Sequence, residues 1–208
     1  MKNSSIPERR PRGRPRGFDS TRALDEALKV FWRLGYEGAS ITDLTEAMGI
    51  TAPSLYAAFG SKAELYRQAL ERYRAEQGAF TARALAEEPT ARAAIARVLR
   101  ESAREFSSRK HPRGCLISTA VLTCAAENQP IAELVAGLRS GTLALFRDRI
   151  ARGIAQGELP AGTDAEALAR YFGAIIQGMS VQAQDGASEA ELLALAEVAM
   201  RAWDNKRS

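Results

Sequence analysis

The chain has 208 residues, with 29 Lys and Arg against 25 Asp and Glu for a net charge of +4, and 46% of its residues are hydrophobic. This is the balance of a globular protein able to bury a sizeable core. No run approaches the roughly 18 consecutive apolar residues of a membrane span, and no apolar stretch near the N-terminus resembles a secretory signal, so the expected location is the cytoplasm with no membrane partner. Two cysteines, Cys115 and Cys124, and one histidine, His111, are too few for a Cys/His zinc site, and no metal or cofactor is expected.

The positive charge is concentrated at the start. Lys2, Arg9, Arg10, Arg12, Arg14 and Arg16 crowd the first sixteen residues, opposed only by Glu8. Residues 1–17 hold Pro, Gly and Arg with almost nothing apolar, so they are expected to form a disordered basic arm. Within it, Pro11-Arg12-Gly13-Arg14-Pro15-Arg16 resembles an AT-hook core. Proline keeps such a segment extended, and arginines fit the narrow, electronegative minor groove of A·T tracts. Arg12, Arg14 and Arg16 are therefore candidate DNA contacts.

From Phe18 onward the pattern is helical. A first helix is expected from about Ser20 to Leu34, with Leu24, Ala27, Leu28 and Phe31 on one stripe and Gly35 as its stop. Ser40 stands three residues before Asp43, the signature of an N-cap with an acidic first turn. A short helix follows, burying Ile41, Leu44 and Met48 and ending at Gly49. Thr51 caps a third helix with Pro53 in its first turn; Leu55 and Phe59 face inward, and Gly60 ends it. Ser61 and Glu64 open a fourth helix running to about Gly78.

Longer helices are expected beyond. One runs from Pro89-Thr90 to about Ser107, and His111-Pro112-Arg113-Gly114 breaks the chain. Residues 115–126 (CLISTAVLTCAA) read as a helix of small and apolar residues. Pro130 opens another helix to about Gln156, Thr163 caps one reaching about Gln184, and Ser188 with Glu191 boxes a last one to about Trp203. The fold class is all-α.

The chemistry resides in the pair 41–48 and 52–59 with Gly49-Ile50-Thr51 between them. Two short helices joined by a tight glycine-containing turn make a helix-turn-helix, whose second helix needs a small or polar outer face to reach base edges. The outward positions are Thr51, Ala52, Ser54, Tyr56 and Ala58, without a carboxylate to repel DNA. The stretch SITDLTEAMGITAPSLYAAFGSKAELY, preceded by Phe31-Trp32 and Gly35-Tyr36, resembles the DNA-binding domain of TetR/AcrR-type transcriptional repressors across about 17–77.

That resemblance implies a three-helix helix-turn-helix domain over 18–77 and a larger helical ligand-binding and dimerisation domain over 78–208. It implies phosphate contacts from Ser40, Thr42, Tyr56 and Lys62, and base contacts from Thr51, Ala52, Pro53 and Ser54. Ala52 and Ala58 stand where the family often has bulkier polar residues, which shifts the expected specificity toward apolar contacts, the arm and DNA shape.

The resemblance further implies a homodimer whose last two helices pair with their copies through Phe172, Ile175, Ile176, Met179, Leu192, Leu195 and Ala199; ordinary core is the competing reading of that stripe. The wall of a pocket for a small-molecule effector is expected from Cys115, Ser118, Thr119 and Leu122. Cys115 follows a glycine and lies near Lys110, His111 and Arg113, which would favour a reactive thiolate. The expected function is a ligand-released repressor binding a double-stranded DNA operator. The alternatives are a redox- or electrophile-sensing repressor using Cys115, and an architectural A·T-tract binder. No nucleophile elbow, P-loop or dinucleotide fingerprint is present, and the single histidine cannot supply a paired Glu-x-x-His di-metal site, so an enzyme is not expected.

Overall fold

The structure is a computed structural model describing residues 19–204; the arm, with Arg12, Arg14 and Arg16, lies outside the described residues. Within that range the chain is all-α. The helices are α1 (Ser20–Gly38), α2 (Ile41–Met48), α3 (Ala52–Phe59), α4 (Lys62–Ala75), α5 (Ala79–Glu87), α6 (Ala91–Phe106), α7 (Gln129–Ala155), α8 (Ala165–Gln184) and α9 (Glu189–Asp204).

The first four helices begin where short polar side chains close their free N–H groups. Asp19 accepts from the N–H groups of Thr21 and Arg22, both at 3.1 Å. Ser40 and Asp43 cap each other reciprocally, Thr51 accepts from Ser54 N–H, and Ser61 accepts from Glu64 N–H. Such caps each contribute about 1 kcal/mol. Gly35, with φ of 70°, breaks the helical path inside α1, and a further turn carries the chain to Gly38. Gly49 takes the left-handed conformation that lets the chain reverse between α2 and α3.

Two hydrophobic cores result. The first gathers Leu28, Phe31, Leu44, Leu55, Tyr66 and their neighbours from α1–α4. The second gathers Ile95, Leu99, Phe146, Phe172, Met179 and Leu192 from α5–α9. Each fully buried side chain of this size contributes about 1.5–3 kcal/mol.

The C-terminal half differs from the sequence expectation in four ways. The fourth helix ends at Ala75, and a separate α5 follows, burying Phe80, Ala84 and Leu85. Asp164, not Thr163, caps α8 by accepting from Ala167 N–H at 3.0 Å. Residues 115–125 form no helix; they run through turns, and a short 3-10 turn spans Ala126–Asn128. Finally, Phe172, Met179, Leu192 and Ala199 are buried within the subunit's own core, as in the competing reading of that stripe.

The turn-rich path of 115–125 has identifiable causes. Ser and Thr compete for backbone groups and β-branched residues lower helix preference. Here Thr119 Oγ1 donates to Cys115 O at 3.3 Å. Long-range partners do the rest. Cys115 N–H donates to the buried Ser180 Oγ at 2.7 Å, and Arg139 Nη1 donates to the carbonyls of Ile117 at 3.2 Å and Ala120 at 2.8 Å. Carbonyls drawn toward Arg139 are lost to a helical ladder.

Candidate nucleic-acid interface and effector cavity

The helix α2 packs across α3 through Leu44 and Leu55, both fully buried, and Phe59 anchors the far end of α3. This leaves the outer side of α3 open. Thr51, Pro53, Ser54, Tyr56, Ala57 and Ala58 are exposed, while Ala52 is half-buried. Tyr56 is 47% exposed and lies outside the hydrophobic core. No acidic side chain occurs between Thr51 and Gly60. The surface is small, polar and uncharged, which lets the backbone approach base edges closely.

The flanks are more constrained than their sequence positions imply. Ser40 is exposed, but its hydroxyl is engaged with Asp43, which in turn accepts from Ser40 N–H at 2.8 Å. These bonds hold the Asp43 carboxyl below its ordinary value. Thr42 is exposed beside it. Lys62 does not extend freely. Its ammonium lies 4.5 Å from the centre of the Tyr36 ring, a cation–π contact. Partial burial pulls the Lys62 pKa down, and the nearby Glu37 opposes that shift.

Glu37 is a residue sequence reasoning missed. Its Oε1 accepts from Ala125 N–H at 3.0 Å and from Asn128 Nδ2 at 2.8 Å. These bonds, Asn128 first, lower its carboxyl pKa. Glu37 thus joins the end of α1 and the Lys62 platform to the segment leading into α7. Nothing in the local pattern around Glu37 signals this, because both partners lie far along the chain.

A cavity of about 160 Å³ lies between α4–α8 and the irregular segment. Phe80, Phe106, Phe146, Leu143 and Ile176 supply apolar walls; Tyr73, Thr142, Gln177, Arg74 and Arg139 supply polar groups. Of the expected pocket residues, Cys115 and Ser118 line it. Thr119 and Leu122 do not: Thr119 bonds Gln184 at 3.1 Å, and Leu122 is 70% exposed. Ile176, expected at a dimer contact, lines the cavity; Ile175 and Leu195 are half-buried. The apolar side chains left open on α8 and α9 are instead Tyr171, Val181 and Val198.

The Cys115 thiol accepts from Tyr73 Oη at 3.3 Å and from Ser118 N–H at 3.4 Å. Burial raises the Tyr73 hydroxyl well above its ordinary pKa, so it stays a donor. Both cysteines are free thiols. Cys115 packs against both hydrophobic cores, whereas Leu116 and Ala120 insert into the N-terminal one. The seam is reinforced by Trp32, whose ring meets Tyr73 edge-on at 4.8 Å and stacks on His111 at 4.6 Å.

An exposed, neutral second helix of a helix-turn-helix, joined to a second helical core with a cavity where the two meet, defines a helix-turn-helix transcriptional regulator. The comparisons narrow this. Residues 23–69 match the family of bacterial regulatory proteins, tetR family, and residues 91–196 match the tetracyclin repressor-like C-terminal domain. The chain is 36% identical over 196 residues to the HTH-type transcriptional repressor ComR of Escherichia coli (strain K12), covering 94% of this chain and 93% of that one. It is 29% identical to the repressor BdcR of the same organism, over 95% of this chain and 93% of that one. It also superposes with a TM-score of 0.88, at 47% identity, on a cysteine-substituted TetR-family regulator CifR bound to a 26-base-pair double-stranded operator DNA, covering 91% of this chain and 100% of that one. The chain belongs to the TetR family and is a DNA-binding transcriptional regulator.

Proposed function

We propose that the protein is a homodimeric repressor released from its operator when a small molecule occupies the cavity. The observation that carries this reading is the double role of residues 115–121. Cys115, Ile117 and Ser118 line the cavity, while Leu116 and Ala120 fill the core beneath the DNA-binding helices. A ligand that shifts this segment therefore repacks the N-terminal core. It releases DNA only if it binds the shifted arrangement more tightly.

In this reading residues 18–77 form the DNA-binding unit and 78–208 the sensing and dimerising unit, with 115–121 reaching back into the former. A stripe on α8 supports pairing with a second copy: Tyr171, Ala174, Ile175, Gly178 and Val181 recur at helical spacing, and Val198 of α9 is 58% exposed. Two recognition helices then meet successive major grooves, and Arg12, Arg14 and Arg16 add minor-groove and phosphate contacts. Each phosphate neutralised steepens the log–log salt dependence by about 0.9.

Footprinting on the DNA flanking the gene tests the reading, with sedimentation of the free protein. The expected result is two protected half-sites about one helical turn apart bound by a dimer that Val181→Glu with Val198→Glu dissociates. Protection of a single half-site by a monomer would sink it.

A second reading, control by a reactive compound, is favoured by the position of Cys115 in the cavity wall with its sulfur hydrogen-bonded by Tyr73. Cys124 does not line the cavity, so an electrophile fits better than a disulfide. With N-ethylmaleimide, the sulfur adds to one alkene carbon and the thiol proton ends on the other. Mass spectrometry should find the adduct on Cys115 together with loss of operator binding, both absent in Cys115→Ser. Adducts without DNA release would discard this reading.

A further inference from the structure

Resting on the reading of this cavity as the effector site, we propose that its ligand is a small organic acid, one carboxylate on a single aromatic ring or short aliphatic body, with the carboxylate taken by Arg139. The size comes first. A cavity of about 160 Å³ is close to the roughly 150 Å³ engineered apolar cavity that holds one benzene ring. Phe80, Phe106, Phe146 and Ile176 offer a ring matching apolar surface.

The charge comes next. No Asp or Glu lines the cavity, whereas two guanidinium groups, Arg74 and Arg139, do. Elsewhere the guanidiniums of Arg72, Arg92, Arg97 and Arg149 face carboxylates, while Arg113 and Arg152 bond backbone carbonyls. Neither Arg74 nor Arg139 has a carboxylate partner among the described residues. Arg74 is exposed at the edge of the cavity, and Arg139 is half-buried. A half-buried cation against apolar walls with no counter-charge favours an anion placed beside it. A cationic ligand would instead meet two like charges.

The geometry makes Arg139 the better receptor of the two. Its Nη1 is fixed by the carbonyls of Ile117 and Ala120. Its Nε and Nη2 have no partner among the described residues, which leaves the paired donor edge that a carboxylate accepts in bidentate fashion. Ser118 and Gln177 line the same space and can donate to the remaining carboxylate lone pairs. The same contact supplies the regulatory step. A carboxylate drawing Arg139 toward the cavity weakens its hold on Ile117 and Ala120, the segment that supports the DNA-binding core.

The test is calorimetric titration of the full-length protein with benzoate, with benzamide as its neutral counterpart and benzylamine as its cation, followed by operator binding with each probe present. Benzoate is expected to bind about tenfold or more tighter than benzamide, as a charge-assisted bidentate pair should, and benzylamine not at all. The preference should vanish in Arg139→Gln and persist in part in Arg139→Lys, which retains the charge. Circular dichroism melting checks that each variant is folded; Arg74→Gln, which removes no bond to the 117 and 120 carbonyls, gives a second reading and should weaken benzoate less than Arg139→Gln. Equal binding of benzoate and benzamide, no binding of benzoate, or a preference that survives Arg139→Gln overturns the proposal while leaving the cavity reading standing. Tight benzoate binding that leaves operator affinity unchanged upholds the acid specificity and sinks the effector role instead.

Discussion

The N-terminal unit closes its helix starts locally, whereas the segment 88–128, beside local bonds such as the Thr90 cap on Ala93 N–H, relies also on partners far along the chain. In the former, Asp19, Ser40, Thr51 and Ser61 cap helices from two or three residues away. In the latter, Ala91 N–H is taken by Glu158, Cys115 N–H by Ser180, Ala125 N–H by Glu37, and the 117 and 120 carbonyls by Arg139. A locally closed unit keeps its shape when its neighbours move. A segment closed from a distance moves when any of its remote partners does. The first property suits a surface that must match DNA; the second suits a relay between a cavity and that surface.

The contrast predicts a ranked set of mutational effects. The largest belongs to Glu158→Ala. Arg149 is 4% exposed, burial depresses its pKa, and Glu158 is its carboxylate partner at 3.7 Å. Removing it strands a buried cation and frees Ala91 N–H, at an expected loss of about 3–5 kcal/mol, read by urea denaturation. A loss near zero would break the idea that remote polar pairs organise this half.

Ser180→Ala comes next. Ser180 is fully buried, and its hydroxyl accepts from Cys115 N–H. An orphaned buried N–H costs about 1–3 kcal/mol. Hydrogen exchange should rise first across 115–121, not at α3. Protection lost equally in both regions would contradict the division drawn above.

Thr51→Ala should cost about 1 kcal/mol through the lost cap, and it should weaken operator binding beyond that loss, as measured by mobility shift, because Thr51 also stands on the open face of α3. Loss of stability alone would remove Thr51 from the interface.

The smallest effect is a pH dependence. Asp43 has a folded-state pKa below its ordinary value because Ser40 donates to it. Its contribution is therefore fully present above the ordinary carboxyl range and is lost as pH falls through the lowered folded value. Native-state hydrogen exchange of α2 should accelerate there in the wild type and show a weaker pH response in Ser40→Ala. An identical response in both proteins would detach the capping pair from that pH dependence.

The helix-turn-helix and the open face of α3 were legible because their determinants lie close together in the chain. Ser40 and Asp43, Gly49, Thr51 with Pro53, and the Leu55–Phe59 spacing each specify local geometry, and the exposed positions follow by elimination. The cavity was less legible. Cys115 and Ser118 were anticipated there, but Arg139, Phe106, Phe146 and Gln177 come from three helices that only tertiary packing brings together. The stripe on α8 showed that a broad apolar face exists without showing which part is spoken for. Phe172 and Met179 went to the subunit's own core, Ile176 to the cavity, and Tyr171 and Val181 to the exterior.

The sequence by itself determined the all-helical class, the helix-turn-helix and its neutral outer face, because helix periodicity, caps and a left-handed glycine act over a few residues. The tertiary structure alone decided the path of 115–125. Its composition reads as helix, yet Arg139 and Glu37, from α7 and α1, take backbone groups a helix would have paired internally, and Ser180 of α8 fixes the start of the segment through Cys115 N–H. Hydrogen-bond partners far along the chain outweigh a local preference worth only tenths of a kcal/mol per residue, roughly.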